Sequence, residues 1–187
     1  MPPLVPRDLV APSDASPALI GVVGFAAALA AASQVAIPLP GTPVPITLQP
    51  LVVVLAGLWL GPMWGAGSML LYIAAGASGL PIFAPTLPTT GVARLIGPTG
   101  GYILAYPAAA WLSGTIAARP SSFFGRVFAA AVGIALIHLG GIAQLAALTG
   151  SAGRALALGS IPFLALDAVK AVVAGLLAPK RGDRATG

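Results

Sequence analysis

The chain has 187 residues, of which 7% are charged and 58% are hydrophobic, with nine basic residues against four acidic ones. Soluble domains carry about 25% charged residues, so a water-soluble globule is excluded in favour of a protein that uses a bilayer as its solvent. The absence of cysteine removes disulfides, thiol catalysis and thiolate metal sites, and the scatter of the basic residues removes a nucleic-acid surface.

A polar, Pro-rich stretch, residues 1–17, precedes the first apolar segment, residues 18–37. Taken alone, that segment resembles a cleaved leader, but the similar segments that follow make it a retained helix. Its pairs Ala26/Ala30, Ala27/Ala31 and Ala28/Ala32 stand four apart, the spacing that lets membrane helices approach closely. Ser33 and Gln34 lie toward its outer end, where they either line a pocket or are ordinary interfacial residues. The next nine residues, 38–46, hold Pro38, Pro40, Pro43 and Pro45 and no charge.

The second segment, residues 47–60, opens with Thr47 and Gln49. It is short for a span of about 20 residues. Only Gly61 and Pro62 divide it from the third, residues 63–80, which predicts a tight turn. A long Pro- and Gly-rich loop, residues 81–98, follows with Arg94 as its only charge. Prolines stiffen such loops, so both Pro-rich stretches are expected to roof a pocket. Arg94 is either the group there that meets an anionic ligand tail or a solvated loop residue.

The fourth and fifth segments cover residues 100–118 and 126–148. The fifth carries His138, the only histidine, and Gln144. A lone histidine in a chain without glutamate cannot assemble a metal centre, so His138 is expected to be a hydrogen-bonded residue of the bundle. The sixth segment, residues 156–178, is read as one continuous helix with Asp167 near its middle and Lys170 three residues on. That spacing sets both on one helix face. A single charge at mid-depth costs at least about 2.5–3.5 kcal/mol, and such residues mark function by default. Together they offer a carboxylate acceptor beside an ammonium donor, which suits a ligand with adjacent N–H and C=O groups. The alternative is an ion pair that only locks the bundle. A basic tail, residues 179–187, ends the chain.

Charge placement predicts orientation. With the N-terminus inside, Arg7, Arg119, Arg126, Lys180, Arg181 and Arg184 are cytoplasmic and Arg94 and Arg154 are outside. Residues 1–187 thus read as a single membrane domain: an all-α, six-transmembrane-helix bundle with both termini cytoplasmic. No phosphate-binding loop and no nucleophile–base arrangement is readable, so no enzyme is expected.

Several motifs occur in a characteristic order: Pro45-Ile-Thr47-Leu-Gln49-Pro50, Leu55-Ala-Gly57-xx-Leu60-Gly61-Pro62, Tyr72-Ile-Ala-Ala-Gly76-Ala-xx-Gly79-Leu80-Pro81-Ile-Phe83, Gly97-Pro98-Thr99-Gly100-Gly101-Tyr102 and Asp167-xx-Lys170. In this order they resemble the BioY family, the biotin-binding S components of energy-coupling factor (ECF) transporters. The resemblance implies a multi-pass protein of the bacterial plasma (inner) membrane with biotin as ligand and no cofactor or metal. Its implied ligand-binding residues are Asp167, Lys170, Arg94, Thr47, Gln49, Tyr72 and Tyr102. Asp167 would take the ureido N–H groups, Lys170 the ureido carbonyl or the carboxylate, and Arg94 the carboxylate or the gating of its loop. The implied partners are a transmembrane T component, docked on Ala26, Ala27, Ala28, Ala30, Ala31 and Ala32, and ATP-binding subunits, with self-association left open. An S component for another small vitamin, or a structural subunit without ligand, is the alternative function.

Overall fold

The computed structural model describes residues 15–118 and 122–179. Helix α1 spans Ala15–Gln34, and a two-residue antiparallel pair follows, β1 (Ala36–Ile37) with β2 (Ile46–Thr47). Helix α2 runs Gln49–Ala77, α3 Val92–Ile96, α4 Gly100–Ala117, α5 Phe123–Thr149 and α6 Ala152–Gly159. A 3-10 turn, Ile161–Phe163, then leads into α7, Leu164–Leu177. Residues Arg7, Arg119, Lys180, Arg181 and Arg184, on which the expected orientation rests, lie outside the described residues.

Helix α2 is a folded-back hairpin. Gly61 has φ 80° and ψ 178°, a backbone open to glycine, and Pro62 restarts the helix with its φ already set. The backbone of Gly57 lies against Gly65 with no space for a Cβ, and Gln49 Nε2 donates to the Tyr72 hydroxyl over 3.0 Å. Along one straight helix Gln49 and Tyr72 would stand about 35 Å apart. The chain therefore reverses at Gly61–Pro62 into two antiparallel arms, 49–60 and 62–77, as the tight-turn expectation has it.

Small residues set how closely the helices pack. A Cβ on Gly57 would overlap the Ala110 carbonyl of α4, one on Gly114 would overlap Gly57 and Pro62, and Gly101 of α4 meets the Gly140 carbonyl of α5. Helix α4 thus lies between α2 and α5; α1 packs on α2, and α7 on α5. The ends of α5 follow from local chemistry. Ser122 Oγ accepts the Gly125 N–H at its start, and Gly150 closes it in the left-handed conformation at φ 68°.

The surface is apolar and the interior carries the polar groups. Ile20, Met63, Phe124, Phe128, Leu139 and Leu176 are exposed, while Gln49, Arg94, Arg126, His138, Asp167 and Lys170 are buried. A bilayer rewards this inversion, since lipid accepts the outer side chains and polar groups need partners inside. Among the described residues, four helical stretches are long and apolar enough to cross a membrane: Pro17–Gln34, Gln49–Ala77, Phe123–Thr149 and Ala152–Leu177.

The structure differs from the sequence expectations at several points. The first helix ends at Gln34, with Ile37 already in β1, and Thr47 sits in β2 ahead of α2. The loop at 81–98 contains the short helix α3. The sixth segment is not continuous. Pro162, in the 3-10 turn, cannot donate a helical hydrogen bond, so the segment breaks there and Asp167 falls in the first turn of α7 rather than mid-helix. The alanine face of α1 is split: Ala26 and Ala32 are buried in the protein's own core and Ala30 is partly buried, leaving Ala27, Ala28 and Ala31 exposed beside Gly24.

Candidate functional site

Both Pro-rich loops meet one cavity of about 600 Å³, counted with its mouth. The β-hairpin and the start of α2 supply Val44, Pro45, Thr47, Gln49 and Pro50; the second loop and α3 supply Ala84 and Arg94; α4 begins at the wall with Thr99, Tyr102, Ile103 and Tyr106. Ile137 and His138 of α5, Phe163 of the 3-10 turn, and Asp167 and Lys170 of α7 complete it. The mixture of an apolar wall with few polar groups is typical of small-molecule sites.

Asp167 is the centre of one end. Its Oδ1 accepts from Lys170 Nζ at 2.6 Å, and its Oδ2 meets His138 Nε2 at 2.7 Å. The break at Pro162 makes this possible. It restarts the helix so that Asp167, Lys170, Ala171, Ala174 and Gly175 form the buried stripe of α7 against α5. The cluster retains bonding capacity. An ammonium has three donors and Lys170 commits one to Asp167, while each carboxylate oxygen can accept more than one bond. His138 Nδ1 lies 3.3 Å from the Gly159 carbonyl, which also accepts the Tyr102 hydroxyl at 2.6 Å. The end of α6 is thereby tied to α4 and α5.

At the other end Arg94 is 1% exposed, and its guanidinium pins the second loop. It donates to the carbonyls of Ala84 and Leu87 and to the Thr86 hydroxyl. Gln144 of α5 donates to the Leu95 and Gly97 carbonyls at 3.0 and 2.6 Å, fixing the junction between α3 and α4. Ser33 and Tyr72 both donate to the Ile82 carbonyl. Thr42 Oγ1 donates to the Leu158 carbonyl at 2.7 Å and joins the first loop to α6. The loops are thus a fastened roof.

Of the residues expected from sequence, Thr47, Gln49, Arg94, Tyr102, Asp167 and Lys170 line this cavity. Tyr72 does not. It stands behind the wall, where its hydroxyl accepts from Gln49 and donates to Ile82, so it positions a lining residue. Ser33 and Gln34 are likewise not lining residues, and they bond to the Ile82 and Phe83 carbonyls. Arg94 is no solvated loop residue, and its fork is largely occupied by the loop. His138 is hydrogen-bonded within the bundle, as expected, and it also lines the cavity. The rule that flags ionisable residues in apolar segments applies to His138 as much as to Asp167 and would have found it. Thr99, quoted within a motif but given no role, lines the cavity as well. Among the described residues no group of histidine, aspartate or glutamate side chains is arranged to hold a metal ion.

The BioY family model matches residues 9–186. A probable biotin transporter BioY of Pyrococcus horikoshii is 41% identical over 138 residues, which is 74% of this chain and 80% of that one. The biotin transporter BioY of Thermotoga maritima is 34% identical over 82% of this chain and 89% of its own length. That of Rhodobacter capsulatus is 38% identical over 86% and 89%. The crystal structure of an S-component for biotin from an ECF-type ABC transporter superposes with a TM-score of 0.84 over 95% of this chain and 96% of the other, at 24% identity, which establishes the shared fold. The chain belongs to the BioY family.

Proposed function

We propose that this protein binds biotin in the cavity beneath its two Pro-rich loops and carries it across the plasma membrane as the substrate-binding component of an ECF-type transporter, without catalysis of its own. The observation that carries this reading is the buried Asp167–Lys170 pair, held by His138 at one end of an otherwise largely apolar cavity. A cyclic urea presents two N–H donors and one carbonyl acceptor. Asp167 offers the acceptor oxygens and Lys170 the uncommitted donors, so one pair answers both faces of the ring. The apolar wall of Ile103, Tyr106, Ile137 and Phe163 suits the thiophane ring and valeryl chain.

In this reading the described stretches form six crossings: α1, the two arms of α2, α4, α5, and α6 with α7 taken together. Both termini face the cytoplasm, and the cavity and Arg94 face outward. Residues 1–187 form one membrane domain. The exposed small residues Ala27, Ala28 and Ala31 on α1 suit close approach by a transmembrane T component, which with ATP-binding subunits supplies the energy.

Isothermal titration of the detergent-solubilised protein tests the reading. Biotin is expected to bind with saturable, one-to-one heat, and Asp167→Asn is expected to remove it. Binding of another vitamin in preference to biotin, or of none in a panel, would overturn it.

A further inference from the structure

His138 is 9% exposed and meets a hydrogen-bond acceptor on each ring nitrogen. Nε2 stands 2.7 Å from Asp167 Oδ2, and Nδ1 stands 3.3 Å from the Gly159 carbonyl. These contacts lie on opposite sides of the helix break: Gly159 ends α6 and Asp167 falls in the first turn of α7. Phe163, in the turn between them, faces the same ring with centroids 6.5 Å apart. One side chain of α5 thus clamps both halves of the sixth segment where they form the cavity wall. A neutral imidazole has one N–H and one lone pair. The Gly159 carbonyl has no proton to give, so Nδ1 carries one when the two are bonded. A second proton then lies between Nε2 and Oδ2, on one atom or the other, because without it two lone pairs would face each other. The His138–Asp167 pair keeps both contacts only with two protons, one more than a neutral imidazole beside a carboxylate holds.

From this we infer that His138 is a proton-dependent positioning residue, which holds Asp167 and the Phe163 turn in the geometry the ligand meets only while the pair carries its second proton. Loss of that proton leaves one contact unbonded. Either the Gly159 carbonyl is released, and with it the turn that carries Phe163, or Oδ2 faces a bare nitrogen and Asp167 leaves its place. Both outcomes disturb the same wall. The bound state keeps the proton, so affinity is full at low pH and falls as pH rises. The other titratable groups on the surrounding elements have separate tasks. Lys170 of α7 bonds Oδ1, Tyr102 of α4 donates its own proton to Gly159, and Tyr72 of α2 bonds Gln49 and Ile82 behind the wall. Tyr106 of α4 lines the cavity, Arg94 of α3 pins the roof, and Arg154 of α6 is exposed. With the cavity facing outward, as proposed above, capture is favoured where the outer face is the more acidic one.

The inference rests on biotin being the ligand, so titration of the unmutated protein at about pH 6, where free carboxylic acids are already ionised, comes first. Absence of biotin binding there overturns both readings. Given binding, the titration is repeated up to about pH 9, in two buffers of different ionisation enthalpy, for the unmutated protein and for His138→Gln. The unmutated protein is expected to lose up to about tenfold in affinity per pH unit on the alkaline side and to take up about one proton with each biotin there. His138→Gln bonds one acceptor and carries no titrating proton, so it is expected to bind about threefold more weakly at low pH and with no slope. A flat profile without proton uptake in the unmutated protein overturns this inference and leaves the biotin reading standing. A slope that persists in His138→Gln assigns the proton elsewhere and overturns it as well. Should His138→Gln not fold, nitrogen NMR of isotope-labelled histidine decides, since the chain has a single histidine. Nδ1 is expected to be protonated in the biotin complex, and a bare Nδ1 there overturns the inference.

Discussion

At the α5–α7 end of the cavity each charged group has a partner: both oxygens of Asp167 are occupied, by Lys170 and His138. At the α3–α4 end, Arg94 Nε and Thr99 Oγ1 have none. In the proposed reading the first end is a pre-assembled network that a ligand joins. The second is incomplete, with two buried polar atoms left unpaired among the described residues. The difference separates two sources of affinity. In that reading, orientation comes from groups already locked in place, and retention comes from enclosure under the fastened roof.

The contrast breaks most severely at Asp167. Asp167→Asn leaves Lys170 as a buried cation without its counter-charge, which by analogy with other broken buried pairs costs about 3–5 kcal/mol. Biotin affinity is expected to fall at least about a hundredfold. Retained affinity in titration calorimetry would mean that the locked end does not touch the ligand. Lys170→Ala, which deletes the donor but leaves His138 on the carboxylate, is expected to cost about tenfold to a hundredfold in the same assay.

Arg94→Gln acts on the unfinished end and on the roof together. It removes the donors to Ala84, Thr86 and Leu87. About a tenfold loss in affinity is expected, with faster proteolysis of the 81–91 loop in the absence of ligand. An unchanged cleavage rate would mean that Arg94 does not fasten the roof. His138→Gln keeps a side-chain donor within reach of Asp167 and is expected to cost only about threefold in affinity, whereas His138→Ala lowers the melting temperature as well. The smallest effect is expected from Tyr72→Phe. It deletes a hydroxyl behind the wall, so about a twofold change in biotin affinity is predicted by the same titration.

The locked end was legible in the sequence and the unfinished end largely was not, for a physical reason. Asp167 and Lys170 are close in sequence, so an i, i+3 rule brings them together before any tertiary structure exists. The reversal at Gly61–Pro62 was legible in the same way, from the backbone preferences of two residues. Arg94 finds its partners ten, eight and seven residues upstream in a loop without periodicity, which Ser33 and Tyr72 also hold through the Ile82 carbonyl. His138 reaches Asp167 across 29 positions through the packing of α5 on α7. The alanines of α1 illustrate another limit. The helix is apolar on every side, so no pattern told which of them turn inward. The break in the sixth segment could have been read from Pro162, a residue that membrane helices often tolerate and that here ends one.

The α2 hairpin has a consequence for how the gene can vary. Its two arms are fixed at one end by the Gly61–Pro62 reversal and at the other by the bond from Gln49 to Tyr72. Each residue added to or deleted from either arm rotates everything beyond it by about 100° and shifts it by about 1.5 Å. One such change would turn Gln49 out of the cavity wall or Tyr72 away from it. The hairpin thus works as a length gauge: a point substitution on its lipid-facing side leaves the register intact, whereas an insertion or deletion between residues 49 and 72 breaks it.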